Sequence, residues 1–282
     1  CMRNELNKIN MTGKVVIGEG ELDNAPMLYV GEKLGKNDGP EFDIAVDPLE
    51  GTNFAANNLP GALSVIAIAE KSNLFNSPET YMNKIATKKV DDEVIDLDYS
   101  LKKNISNLAD FQNKDISSLT ACILDRPRHK KIIDELKEMN VNIKLITDGD
   151  VSGALLVTNE KHNVDIYLGI GGGPEGVLAA TALDAYGCYF QCRPIFDNQK
   201  DIQRAKDMGI KDVNKKYEIN EIISGDSIFC ATGITSGDLV KGIKIEKNQY
   251  TSETFVTHKS SNFKKIVKTT EKLKWFQYPV DT

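Results

Sequence analysis

Apolar residues recur along this chain with two periods, and each period predicts a different element. Lys14-Val15-Val16-Ile17 reads as a strand that runs straight into Gly18-Glu19-Gly20-Glu21. Residues 42–46 read as a second strand, ending on Asp47-Pro48. The continuous apolar run over 63–69 predicts a buried strand. Residues 73–115 are rich in Asn, Lys and Asp and read as hairpin, short helix and connection. From about Leu119 strand and helix signals alternate. Residues 120–124 predict a strand and Pro127 a first helical residue, with Ile132, Ile133, Leu136 and Met139 following at helical spacing. Residues 143–146 and 164–168 predict strands, with a short helix over 151–157 between them. The Gly-rich segment 169–176 leads into an Ala/Leu-rich helix over 177–186, stopped by Gly187. Residues 227–231 predict a later strand, and the lysine-bearing stretch 253–278 two strands or a strand and a helix.

This alternation predicts an α/β fold with a largely parallel sheet flanked by helices. The boundary between the irregular first half and the regular second half falls near 113–118, giving units of 1–117 and 118–282. A chain of 282 residues suits one large domain or two moderate ones and buries a core without staples. Lys+Arg 35 against Asp+Glu 41 gives a net charge of −6, which argues against a nucleic-acid binder. An anionic substrate would then need local arginines or bound cations. No stretch approaches the roughly 20 apolar residues of a membrane helix, and no secretory signal pattern opens the chain. Cys1, Cys122, Cys188, Cys192 and Cys230 read as the reduced cysteines of a cytoplasmic protein.

The acidic residues gather where strands end. Glu19 and Glu21 follow the first strand, Asp43, Asp47 and Glu50 lie in and after the second, Asp148 and Asp150 follow a later one, and Glu175 another. Open α/β sheets bind ligands at the carboxyl ends of their strands. Carboxylates meeting there repel unless cations neutralise them, and hard divalent ions such as Mg²⁺ or Mn²⁺ favour an all-oxygen environment. Glu19, Asp47, Glu50 and Glu175 are the candidate metal ligands, and two divalent ions would cancel their charge.

Asp47-Pro48-Leu49-Glu50-Gly51-Thr52 is the most specific run. Pro48 fixes the turn leaving the strand. Glu50 would return to the ion that Asp47 holds. Gly51 lets a phosphate approach the backbone, and the Thr52 hydroxyl would orient a water. The second element, Gly172 to Gly176, is either packing or an anion site at a helix start. It matches neither a dinucleotide fingerprint nor a P-loop. Arg126-Pro127-Arg128-His129 is the third, its arginines suited either to phosphate or to surface ion pairs. His129 reads as a polar neighbour rather than a catalyst. The cysteines show no zinc spacing, and no Gly-x-Ser-x-Gly anchors a serine hydrolase.

Several runs, in order and spacing, resemble hallmarks of class II fructose-1,6-bisphosphatases. They are Gly18-Glu19-Gly20-Glu21-Leu22-Asp23-Asn24-Ala25-Pro26-Met27-Leu28, Asp47 to Thr52, Ser77-Pro78-Glu79-Thr80-Tyr81-Met82, Asp125 to His129, Asp148-Gly149-Asp150 and Gly169 to Gly176. The likeness extends through Ala231-Thr232-Gly233-Ile234-Thr235-Ser236-Gly237-Asp238. The resemblance implies the layered α/β/α/β/α sandwich of the lithium-sensitive sugar phosphatases, with two α/β subdomains and the active site between them. It implies hydrolysis of fructose 1,6-bisphosphate to fructose 6-phosphate and phosphate in gluconeogenesis, with sedoheptulose 1,7-bisphosphate accepted by some members. It implies Mn²⁺ or Mg²⁺, two ions or more, with Glu19 on one and Asp47, Glu50 and Glu175 on another. Thr52, Asp47 and Glu50 would be catalytic. Glu50, Gly51 and Thr52 would face the cleaved phosphate. Tyr81, Arg126, Pro127, Arg128, Asp148, Gly149, Asp150 and Gly172 would hold the sugar and the distal phosphate. A homo-oligomer, dimer or tetramer, is implied too.

The family pattern has a further helical segment before the position of Cys1, carrying another acidic ligand and a Gly-Asp-Lys motif. The expectation is therefore either an N-terminally incomplete sequence or a naturally truncated protein, in either case with Glu19 lacking a partner. The alternatives are a related inositol- or sugar-phosphate phosphatase, and a catalytically impaired relative that binds sugar phosphates.

Overall fold

The computed structural model describes residues 2–20 and 26–272. The readings placed on Cys1, on Glu21 to Ala25 and on 273–278 lie outside the described residues. In chain order the elements are α1 (Met2–Leu6), β1 (Thr12–Ile17), β2 (Lys33–Leu34), β3 (Glu41–Glu50), α2 (Thr52–Ala56), β4 (Leu63–Glu70) and β5 (Tyr81–Thr87). Then come α3 (Leu101–Gln112), β6 (Thr120–Leu124), α4 (Lys130–Glu138), β7 (Asn142–Ile146), α5 (Asp150–Leu155), β8 (Ile166–Gly172), α6 (Gly173–Ala185) and β9 (Tyr189–Ile195). The chain continues through α7 (Gln199–Asp207), β10 (Tyr217–Glu218), α8 (Ile219–Ile222), β11 (Ser227–Gly233), β12 (Lys244–Glu246), β13 (Gln249–His258) and β14 (Phe263–Lys272).

Among the described residues the strands form two sheets. The first runs β12-β13-β11-β4-β3-β1-β2, with β14 paired to β13. The second runs β10-β9-β5-β8-β6-β7. Neither is largely parallel, contrary to the sequence-based expectation. Only β1 with β3, β6 with β7 and β6 with β8 pair parallel. The reason lies in β5. It comes from the irregular first half, inserts between β8 and β9, and runs antiparallel to both. Strands β8 and β9 are still joined by α6 as a crossover, so the predicted repeat exists but is split by a foreign strand. The sheets also do not divide the chain at residue 117: β5 belongs to the second sheet, and β11 to β14 return to the first.

The layers follow from which faces are apolar. Helix α6 is buried at most of its positions, as suits a helix apolar all round. It lies with α5 between the sheets, where Val65 and Ala67 of the first sheet and Tyr167 and Phe190 of the second join one core with Val151, Leu178 and Leu183. Helices α3 and α4 cover the outer face of the second sheet through Ile105, Leu108 and Leu136. Helix α1 puts Leu6 over Val15, Ile44 and Val46 on the outer face of the first. The order is α/β/α/β/α. The starts of α2, α5 and α6 thereby meet in one region, beside the ends of β1 and β3.

Candidate active site

The chemistry begins with an irregularity in β3. Asp47 pairs with Val65 of β4, and the next aligned pair is Glu50 with Leu63. Two residues on β3, Pro48 and Leu49, thus oppose one on β4, Ser64, a bulge. In a regular strand residues three apart point to opposite faces. The extra residue turns Glu50 to the same side as Asp47. Gly51, at φ 77°, then takes the left-handed conformation that starts α2 at Thr52.

Glu175 arrives from the first turn of α6. Its carboxylate lies so close over Gly172 that a Cβ there would run into it. Gly171 makes the same allowance for Asp150, and Gly173 for Ser77. The Gly-rich run therefore serves to admit side chains against the backbone, which its sequence left open between packing and anion binding. One carboxylate oxygen each from Asp47, Glu50 and Glu175 lie within 4.8 Å of one another. Glu50 is buried and accepts from the Val151 N–H at 3.0 Å. The Leu49 N–H donates to Asp47 at 3.0 Å.

Three carboxylates this close disfavour ionisation. Burial, then Glu175 and Asp47, push Glu50 well above the usual carboxylate range. Burial raises Glu175 to about 7 although Lys84 opposes the rise. Burial and Asp148 raise Asp47, against the hydrogen bonds from Glu50 and Leu49. The donor set is all oxygen and its carboxyls resist ionising side by side without a counter-cation, so it fits a hard divalent cation.

The triad stands on the wall of a cavity of about 1000 Å³. Glu19 lines the same cavity outside the triad, its carboxyl raised by burial, by Asp47 and by Glu79. Thr52, Gly51, Tyr81, Asp148 and Gly172 also line it. Arg126 and Arg128 stand just behind that wall. Arg126 donates to the Thr147 carbonyl at 2.5 Å and is 3.7 Å from the Asp148 carboxylate. Arg128 donates to the Ile170 carbonyl at 2.9 Å and lies over the Tyr81 ring at 4.7 Å. Pro127 opens the short turn between them, and Gly149, at φ 80°, caps α5.

Asp150 is placed differently. Its carboxylate is off the cavity wall, ion-paired with Lys84 and accepting from the Tyr167 hydroxyl. His129 is buried, its Nδ1 at 2.7 Å from the Leu124 carbonyl and its Nε2 accepting from the Ile170 N–H. Burial lowers its pKa and keeps it neutral. Sequence reasoning passed over Lys84, whose signal is a lone lysine inside an otherwise strand-like run, and the α7 face, where Asp201 and Arg204 reach the cavity.

Fold and site define first a class: a layered α/β enzyme whose convergent carboxylates suit a divalent cation. The profile described as bacterial fructose-1,6-bisphosphatase, glpX-encoded, matches residues 1–271. The D-fructose 1,6-bisphosphatase class 2/sedoheptulose 1,7-bisphosphatase of Prochlorococcus marinus (strain MIT 9515) is 41% identical over 262 residues, covering 88% of this chain and 79% of its own. The protein so named from Trichodesmium erythraeum (strain IMS101) is 37% identical over 294 residues, covering 95% and 85%. The chain belongs to the class II fructose-1,6-bisphosphatase family. Among the described residues no helix is long and apolar enough to cross a membrane.

Proposed function

We propose that this chain hydrolyses fructose 1,6-bisphosphate to fructose 6-phosphate and phosphate, and that it accepts sedoheptulose 1,7-bisphosphate as well. The supporting observation is the convergence of Asp47, Glu50 and Glu175 within 4.8 Å on the wall of a cavity large enough for a sugar bisphosphate, in a chain of this family. Asp47, Glu50 and Glu175 would hold one Mn²⁺ or Mg²⁺, and Glu19 would serve a second. When bound, such ions neutralise phosphoryl oxygens and lower the pKa of water.

The rest falls to the protein's own groups, and phosphoryl transfer asks mainly for position and charge balance. The Gly51 backbone and the Thr52 hydroxyl, at the start of α2, would face the cleaved phosphate, with Thr52 orienting the attacking water. Arg126 and Arg128 would bind the distal phosphate, which suits guanidinium geometry. Tyr81, Asp148, Gly149 and Gly172 would hold the sugar between the two ends. A cytoplasmic dimer or tetramer completes the reading; the four described cysteines are free thiols.

The test is phosphate release with Mn²⁺ or Mg²⁺ from fructose 1,6-bisphosphate, sedoheptulose 1,7-bisphosphate, fructose 6-phosphate and an inositol monophosphate. Release from the bisphosphates is expected, with Thr52→Ala lowering kcat far more than it raises KM. Preference for the inositol phosphate would replace this reading with the related phosphatase. No release despite measurable binding would favour the impaired relative.

A further inference from the structure

Lys84 sits in the middle of β5, in register with Gly169 of β8 and Cys192 of β9. It is 1% exposed. A lysine this deep is almost always paired, and here it has two partners. Its ammonium is ion-paired with the Asp150 carboxylate and donates to the Gly172 carbonyl at 2.7 Å. Asp150 is the first residue of α5. Gly172 is the residue before α6. One side chain thus grips the starts of two helices that come from different parts of the chain.

Those two starts are what the acidic triad is built on. The N–H of Val151, next to Asp150, holds Glu50 at 3.0 Å. Glu175 is in the first turn of α6 and lies over Gly172. Asp150 is further fixed by the Tyr167 hydroxyl, and Tyr167 is fully buried. Lys84 itself does not line the cavity.

We propose that Lys84 is the positioning residue of the triad: by tying the start of α5 to the start of α6 it fixes the separation of Glu50 from Glu175. This role rests on reading the triad as a cation site.

Lys84→Met keeps the stem and removes the tie, but leaves Asp150 buried and unpaired. The double variant Lys84→Met/Asp150→Asn removes both charges and so relieves that penalty. Mn²⁺ binding by calorimetry, read beside the melting temperature, separates packing from positioning. The double variant is expected to melt within a few degrees of the wild type yet bind Mn²⁺ at least tenfold more weakly. Wild-type Mn²⁺ affinity in the double variant would overturn the positioning role. If neither variant folds, Gly176→Ala carries the test. Its new Cβ would stand 3.2 Å from both the Lys84 Cδ and the Met82 Sδ and press on the stem with both charges intact. Several-fold weaker Mn²⁺ binding is expected there, and unchanged affinity would overturn the role. A wild-type chain that binds no Mn²⁺ would instead overturn the cation reading itself, and the role with it.

Discussion

The triad on the cavity wall and the arginine pair behind it are built on opposite terms. At the triad end, short side chains are fixed by backbone devices: the bulge before Glu50, the left-handed Gly51, the bare Gly172 under Glu175. The groups are close, half to fully buried and mutually repulsive. At the arginine end, long half-exposed side chains rest on carbonyls and on one another, with Arg126 on Thr147 and Arg128 on Tyr81. The first end stores unfavourable electrostatics that a cation would relieve. The second is already satisfied, and a phosphate would only exchange partners. On the proposed roles, chemistry would sit where the protein is strained and recognition where it is at ease.

The sharpest way to break that contrast is Glu50→Gln. Loss of a central ligand is expected to lower kcat/KM by on the order of 10³. In EDTA the same variant is expected to melt higher than the wild type, because a buried carboxyl held against its charge is gone. Activity within tenfold of the wild type, or a lower melting temperature in EDTA, would place the strain elsewhere.

The pH dependence of stability sharpens the same point. Glu175 has its ordinary value of 4.5 in the unfolded chain and about 7 in the fold. A carboxyl raised by folding favours the protonated native state. Its contribution is full below pH 4.5 and is lost as pH rises through 7. Urea titrations in EDTA are expected to show stability falling from pH 5 to pH 8. Glu175 alone accounts for up to about 3 kcal/mol, less as solvent in the cavity screens it. Saturating Mn²⁺ is expected to cancel the fall, since the ligands bind as anions. Rising stability over that range in EDTA would contradict the raised carboxyls.

At the other end, Arg126→Ala is expected to raise KM for fructose 1,6-bisphosphate about 10- to 100-fold, the worth of a charge-assisted contact, with kcat nearly kept. A sugar monophosphate is expected to lose little. Equal losses on both substrates would remove Arg126 from distal-phosphate recognition.

The contrast between the ends also explains what the sequence could say. Local devices are written locally. Asp47 to Thr52 announces a turn, two acids and a hydroxyl in six residues, and the strand over 63–69 shows in its apolar run. What crosses the chain is not written that way. No pattern near Tyr81 says that β5 will insert between β8 and β9, so the sheet looked parallel. No pattern near Lys84 says that its partners are 66 and 88 residues away. The resemblance gives Asp148 and Asp150 one role, on the sugar. Folding sends one acid to the cavity and the other to a buried lysine.

The smallest expected effect tests how loosely the arginine end is made. Tyr81 is 47% exposed, and its ring carries the Arg128 guanidinium at 4.7 Å. An exposed cation–π contact is worth about 0.5–1 kcal/mol. Tyr81→Leu keeps apolar bulk and removes that face, so KM for the bisphosphate is expected to rise about two- to fivefold. Melting temperature is expected to stay put, because nothing in the core rests on the ring. A KM increase of 100-fold, or a marked fall in kcat, would mean that Tyr81 is held as tightly as the triad. The two ends would then share one degree of preorganisation, and the contrast between them would fail.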